Sequence, residues 1–483
     1  MSSFRDLYAQ VYKKGNLFGV DKVPTRNPLL MKGKRANSVA VVGGALGDEG
    51  KGRVTDELTS VFLQDHRHVI HYRDNGGANA GHTVEVGDVK IALHQIGSGV
   101  LQKGCTVILG KEMVLHPEDL VSELESIKTA LKSKTIPAEV IIDEMAYLCL
   151  DTHRAFEGVL KARSTGSAGS TGRGISPAYA DVVYRHPLRM RDLFAADWQE
   201  RVKQHYGLYQ QLCAGVGFEL KSMKVMRLAG QPVAVGTLKK MLERLAEAKK
   251  ALKKYVKPAV EIVADHWVKG TPFVFEKAQA LGLDIRWGLY PDVTASNCGF
   301  DGIFSSTEGV VDPADIAVKA GTIKATYTSS VGARQLPTLM PEKLAHRIRE
   351  DAWEYGSTTK RPRDIAYIDL PMLSYFFKVG RVEHLVMTHL DISYPEVPIK
   401  VCVGYTLRGK AVEYRPDQEY LNKVKPEYVE LPSWSMTAVQ QARKPKDLPK
   451  EALQYIAFIS QALKAQPCMV TVGPKREQGI GYF

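Results

Sequence analysis

The first strongly apolar run, Ser38-Val-Ala-Val-Val-Gly43, has the length and composition of a strand buried on both faces. It breaks into Gly44-Ala-Leu-Gly-Asp-Glu-Gly-Lys-Gly52, after which Val54, Leu58, Val61 and Phe62 recur at helical spacing. A short strand at 69–73 enters a second glycine-rich turn, Asn75-Gly-Gly-Ala-Asn-Ala-Gly-His-Thr83. Residues 84–86 and 89–92 around Gly87-Asp88 predict a hairpin. Further strands are predicted at 107–109, 139–142, 273–275, 323–326, 385–387, 399–405 and 469–471, with a helix over 117–131. A loop rich in Ser, Thr and Gly spans 164–176, and residues 190–260 are mainly helical. The clearest helix, Leu238–Val256, carries Leu238, Met241, Leu242, Leu245 and Leu252 on one stripe and lysines elsewhere. Strands alternating with helices predict an α/β fold: a large, mostly parallel central sheet with flanking helices and a P-loop-like nucleotide-binding loop.

No internal repeat or low-complexity linker appears. Residues 37–483 are therefore expected to form a single domain, with an enlarged helical region near 205–260 and an N-terminal arm at 1–36. Apolar residues are 44% and charged residues 24% of the 483, which excludes wholesale disorder. No stretch reaches the roughly 18 consecutive apolar residues of a membrane helix. The balance of 65 Lys and Arg against 53 acids, +12, favours anionic partners: phosphorylated metabolites, nucleic acid or an acidic surface. The lysines of 238–256 lack interleaved aromatics and read as a solvated face, so nucleic acid is the weaker partner class. Six scattered cysteines without C-x-x-C spacing speak against a zinc or disulfide framework and for a reducing compartment. Phe4, Leu7, Tyr8 and Val11 followed by Lys13 and Lys14 raise an import peptide, against which Asp6 and Asp21 count. A cytoplasmic location is expected.

The loop at 44–52 follows a strand and opens a helix, the order that aims backbone N–H groups at a phosphate, though a tight structural turn has the same order. It departs from the P-loop pattern at Ala45 and at Gly52, where a magnesium-binding hydroxyl is usual, which leaves Asp48 as the oxygen donor. His82 ends a glycine-rich turn, where an imidazole can face a ligand and stabilise charge on a phosphoryl group; a structural histidine is the alternative. Arg361 and Arg363, two apart in a loop, can fork onto carboxylates or form a solvated basic turn. Asp391, after an apolar strand, can accept from guanine N1–H and N2–H₂, or cap a helix.

Together these segments resemble the adenylosuccinate synthetase family, in order, from about Val39 to Pro474. The resemblance also rests on Ser170-Thr-Gly-Arg-Gly-Ile-Ser-Pro-Ala-Tyr179, Phe275-Glu-Lys-Ala-Gln279, Gly288-Leu-Tyr-Pro-Asp-Val-Thr294 and Gly473-Pro474. It implies a homodimeric, Mg²⁺-dependent ligase that uses GTP to phosphorylate O6 of IMP and then joins L-aspartate at C6. Asp48 would be the catalytic base and a metal ligand with the Gly81 carbonyl, and His82 would stabilise O6 and the transferring phosphoryl group. Glu49, Gly50, Lys51 and Gly52 would cradle the GTP phosphates. Asn79, Thr171 and Thr294 would hold the acceptor's 5′-phosphate with Arg185 reaching across the dimer, and Gln279 would line the base and share in catalysis. Arg361 and Arg363 would clamp aspartate beside Thr359, with Arg361 also near the purine nucleotide; Asp391 would read guanine, with Gly473 closing over it.

Departures cluster around the substrates. Ala45 and Leu46 replace glutamine and tryptophan, Ala78 replaces a histidine, Lys360 a glycine, and His389 a lysine. In Tyr327-Thr-Ser-Ser-Val-Gly-Ala-Arg-Gln335 the usual arginine has become Ser330. A related viral branch uses dGMP, often with dATP, to make the 2-aminoadenylosuccinate nucleotide, and that acceptor stays open beside IMP. Asp48, typically lost in that branch, favours IMP, and Asp391 favours GTP over dATP or ATP.

Overall fold

The computed structural model describes residues 35–481 apart from 87–88, 164–169, 229, 231, 331–333 and 357–361. Ten strands form one sheet: β1 Arg35–Gly43, β2 Val69–Arg73, β3 Cys105–Leu109, β4 Glu139–Asp143, β5 Val256–Lys257, β6 Phe273–Glu276, β7 Ile316–Lys324, β8 His384–Thr388, β9 Gln466–Thr471 and β10 Gly479–Gly481. Their spatial order is β5-β4-β3-β2-β6-β1-β7-β8-β9-β10, and every pairing is parallel except β9 with β10. The interior of β1, Val39 to Val42, is buried on both faces, which is why it reads as an unbroken apolar run rather than an alternation. One core runs across the sheet from Ile141 of β4 to Val470 of β9, with Trp267 packed edge-on against Phe273. A second core lies against β3 and β4 and extends into the helices Trp198–Ala214 and Leu238–Leu252.

Parallel strands put all their carboxyl ends on one edge, and β1 sits where strand order reverses, flanked by β6 and β7. The loops leaving β1, β2, β6, β7 and β8 therefore converge there, although they are far apart in sequence.

Several expectations change. The helix predicted to Val256 ends at Leu252, because Val256 and Lys257 pair with Ile142 and Asp143 as the outermost strand. The strand expected at 323–326 is the end of the longer β7. The helical stretch 190–260 is interrupted by a small hairpin pairing 224–225 with 233–234. This region is docked by ions: Arg227 and Arg244 each reach both Glu118 and Asp151. The tip of the predicted hairpin and residues 1–34 of the arm lie outside the described residues, and Arg35 and Ala36 begin β1.

Candidate active site

Gly47 and Gly50 take positive φ in the loop after β1, and Asp48 does so as well at φ 58. Such a conformation disfavours side chains other than glycine and persists only where its surroundings enforce it. The enforcer is Glu49, 2% exposed: its carboxylate accepts from the N–H groups of Ala45 and Gly47 and pairs with Lys51 at 2.9 Å. Glu49 thus braces the loop with its side chain, so any phosphate contact by it is through the backbone. Thr388 at the end of β8 donates to the Glu49 carbonyl at 2.8 Å, which ties the Thr388–Asp391 turn to this loop.

His82 lies against the start of the helix Lys51–Asp65; a side chain at Gly52 would collide with it. Its Nδ1 pairs with Glu276, a fully buried carboxylate at the end of β6 that also accepts from His71 at 2.6 Å and from the Ser98 N–H and hydroxyl at 2.9 and 2.7 Å. Burial alone would raise the Glu276 pKa, but His82 and His71 hold it well below the usual carboxylate range. Burial draws the His82 pKa downward against the pull of Glu276. Glu276 has no role in the expectations above; its only mark in the sequence is that it is a lone acid closing an apolar strand.

Asp48, with its side chain 28% exposed, pairs with Arg363 at 2.8 Å, and Arg363 also binds Glu354 at 2.5 Å. Glu354 in turn accepts from Tyr327 at 2.6 Å and pairs with Lys324. The predicted base and the predicted aspartate clamp are therefore neighbours. Thr359 and Arg361 lie outside the described residues. Arg334 sets its guanidinium on the Ser330 hydroxyl at 2.9 Å, so positive charge returns to the position from which the loop lost its arginine.

Of the residues expected to hold the acceptor, Asn79 reaches Thr294 at 3.5 Å and accepts from the Gly77 N–H at 3.0 Å. Gln279, at φ 58, faces Ser296. Thr171 is exposed at a loop braced by Glu157, which accepts from Ser170 and Gly174. Arg185 stands apart from these residues. It lies on the surface beyond the helix Ile175–Val183, where it lines a depression of about 390 Å³ with Arg189, Arg191 and Arg201. Of the residues expected at the guanine, Asp391 is bound by Gln440 at 3.2 Å, and the Leu390 N–H donates to the Thr471 carbonyl near Gly473. Arg53 holds the Pro474 and Lys475 carbonyls at 3.1 and 2.6 Å. Burial and Lys324 push the His389 imidazole down to about 4, so it does not supply the charge of the lysine it replaces.

Among the described residues two places invite a metal. Asp48 offers a hard, partly exposed carboxylate oxygen at the phosphate loop, the donor Mg²⁺ takes, and Gly81 precedes His82 in the adjoining turn. The buried cluster His153, Asp181 and His205 has ligand-type atoms within 4.8 Å of one another. There, however, the Leu150 N–H donates to His153 Nδ1 at 2.9 Å, so Nε2 must carry the proton it gives Asp181. A ligating histidine donates from its far nitrogen rather than accepting there. That cluster is a hydrogen-bond network.

Comparison with known proteins gives the family. The family model for adenylosuccinate synthetase matches residues 40–480. The adenylosuccinate synthetase of Clostridium acetobutylicum is 33% identical over 443 residues, 91% of this chain and 98% of that protein. That of Geobacter sulfurreducens is 32% identical over 446 residues, 92% and 97% respectively. The fully ligated adenylosuccinate synthetase structure from Plasmodium falciparum superposes with a TM-score of 0.81 at 27% identity, covering 93% of this chain and all of that one (100%). The cyanophage S-2L succinoaminodeoxyadenylate synthetase bound to dGMP and dATP gives 0.54 at 16% identity over 93% and 96%, a likeness of fold alone.

Proposed function

The chain belongs to the adenylosuccinate synthetase family, and from that premise we propose that Asp48 and His82 at the carboxyl edge of the sheet drive O6 phosphorylation of IMP by GTP before L-aspartate attacks C6. The enzyme is a C–N bond-forming ligase of purine biosynthesis. An oxo group leaves poorly and a phosphoryl ester leaves well, so phosphorylation has to precede amination. Asp48 removes the N1 proton, O6 gains charge and attacks the γ-phosphorus, and GDP departs. His82, seated on Glu276, stabilises the charge on O6 and on the moving phosphoryl group. The aspartate amine then displaces phosphate, which leaves with the former O6, while Arg361 and Arg363 hold the aspartate carboxylate beside Thr359.

Glu49, Gly50, Lys51 and Gly52 receive the GTP phosphates, and Asp391 with Gly473 receives the guanine. Asn79, Thr171, Thr294 and Gln279 take the purine nucleotide, with Arg361 close by. Mg²⁺, held by Asp48 and the Gly81 carbonyl, would neutralise charge between the nucleotide phosphates. Arg185 completes the acceptor site of a second copy; Val183 and Tyr184 beside it are 79% and 71% exposed, as an interface requires. We place the enzyme in the cytoplasm; among the described residues no helix is long and apolar enough to cross a membrane.

The observation that carries this reading is the Asp48–Arg363 contact, which sets the base beside the aspartate clamp. Phosphate release with aspartate and either IMP or dGMP, crossed with GTP or dATP, tests it. Turnover with IMP and GTP is expected, and turnover confined to dGMP would overturn the acceptor.

A further inference from the structure

The amide of Gln279 can present either a donor or an acceptor to a purine, and the structure contains a device that chooses. The chain of hydrogen bonds starts from a group of fixed polarity. The Ala278 backbone N–H donates to Asn75 Oδ1 at 2.9 Å, and a backbone N–H can only donate. The Asn75 oxygen is thereby fixed, and its Nδ2 turns the other way to donate to Ser296 Oγ at 3.1 Å. Ser296 is 2% exposed, so no bulk water takes its remaining hydrogen. The acceptor within reach is Gln279 Oε1 at 3.4 Å, with the Cys298 sulfur at 4.0 Å a poorer one.

Gln279 has little room to turn away. Its left-handed backbone abuts Gly43, and its Oε1 lies close enough to Gly76 that a side chain there would press on it. A fully buried ion pair between Lys277 and Asp74 fastens the same two turns together.

We propose that Ser296 and Asn75 are positioning residues that hold the Gln279 oxygen inward, so that its Nε2 hydrogens point at the C6 oxygen of the bound purine. The proposal rests on the reading of Gln279 given under Proposed function. A fixed N–H donor favours an oxo group, and an oxyanion still more, while a 6-amino group meets it donor to donor. The relay therefore selects 6-oxopurine nucleotides over 6-aminopurine nucleotides. It acts alike on IMP and dGMP, since both carry O6.

A double-mutant cycle tests it, read in phosphate release with IMP, aspartate and GTP and in IMP binding by calorimetry. Ser296→Ala is expected to lower kcat/KM for IMP about tenfold, the size of one mis-set hydrogen bond, with KM for GTP and aspartate unchanged. In a Gln279→Ala background the same change is expected to do nothing further, because Ser296 acts only through that amide. Asn75→Asp keeps the shape and the Ala278 contact but removes the donor, so the Ser296 hydroxyl turns to the new carboxylate and the same loss is expected. Equal losses in both backgrounds, or normal turnover in both Ser296→Ala and Asn75→Asp, would overturn the relay. A wild-type enzyme inactive on IMP would instead defeat the parent reading.

Discussion

Arg363 Nη2 stands 2.8 Å from Asp48 Oδ2 while its Nη1 stands 2.5 Å from Glu354 Oε2, so a single guanidinium serves both carboxylates. Burial would raise the Glu354 pKa, but Lys324 and Arg363 hold it well below the ordinary range. Arg363→Lys keeps the charge and loses the fork. We expect KM for aspartate to rise about tenfold in that variant, one forked contact's worth, with the melting temperature little changed. Arg363→Met leaves Asp48 loose and Glu354 short of one partner, and should cost about 2–4 kcal/mol of stability. Steady-state kinetics and thermal unfolding measure both; an unaltered aspartate KM in the lysine variant refutes the clamp.

Glu276 gives a sharper test of His82. Gln at 276 keeps the volume but removes the negative charge that His82 and His71 share and puts an N–H₂ group against one of them. His82 then loses both its orientation and its charge partner. The drop expected in kcat is about 100-fold or more, as when an orienting carboxylate is neutralised elsewhere, with KM for IMP and aspartate nearly constant. A kcat within threefold of wild type would show that His82 needs no such support.

The loop proposed to receive phosphate can be picked out from sequence because its chemistry is contiguous: Asp48 to Gly52 lie within five residues, and the apolar run before them marks the strand that carries them. The parallel sheet was equally legible from its unbroken apolar strands. What the sequence hid is long-range pairing. Glu276 meets His82 across 194 positions (276 − 82), and Arg363 meets Asp48 across 315 (363 − 48). Only the strand order, with β6 and β7 flanking β1, brings them together, and periodicity does not carry strand order. By contrast, the Arg334–Ser330 contact is local, four residues apart, yet the pattern of the loop alone does not say which way the arginine turns.

Arg185 lies outside the cluster that holds Asp48 and His82, so a site built within one chain lacks it. Mixing an Arg185→Ala enzyme with an Asp48→Ala enzyme should restore activity, because half of the randomly re-formed dimers carry one intact site. About a quarter of wild-type activity is expected for a symmetric pair. No recovery after subunit exchange, checked by light scattering, would place Arg185 outside the site altogether. Val183→Asp should shift the sedimentation profile toward monomer and lower activity with it.

Glu57 makes stability depend on pH in a direction opposite to most acids. It sits on the helix after the phosphate loop, 8% exposed, its carboxyl pressed on Gly479 and 3.4 Å from Arg53. Burial raises its pKa to about 7, with Asp56 adding to the rise and Arg53 and Arg476 opposing it. The native state therefore holds this proton more tightly than the unfolded chain, whose Glu titrates near 4.5. Between those values the native state binds more protons, so stability falls as pH climbs through the window and the penalty is complete above it. A shift of this size corresponds to roughly 3 kcal/mol at most. Glu57→Gln mimics the protonated form, and at pH 8.5 it should raise stability by about 1–3 kcal/mol, less whatever attraction to Arg53 is lost. At pH 5, where wild-type Glu57 is already largely protonated in the native state, the variant should differ little. Denaturant unfolding of both proteins at the two pH values measures the difference; a loss of stability at pH 8.5 would mean that Glu57 stays ionised and pairs productively with Arg53.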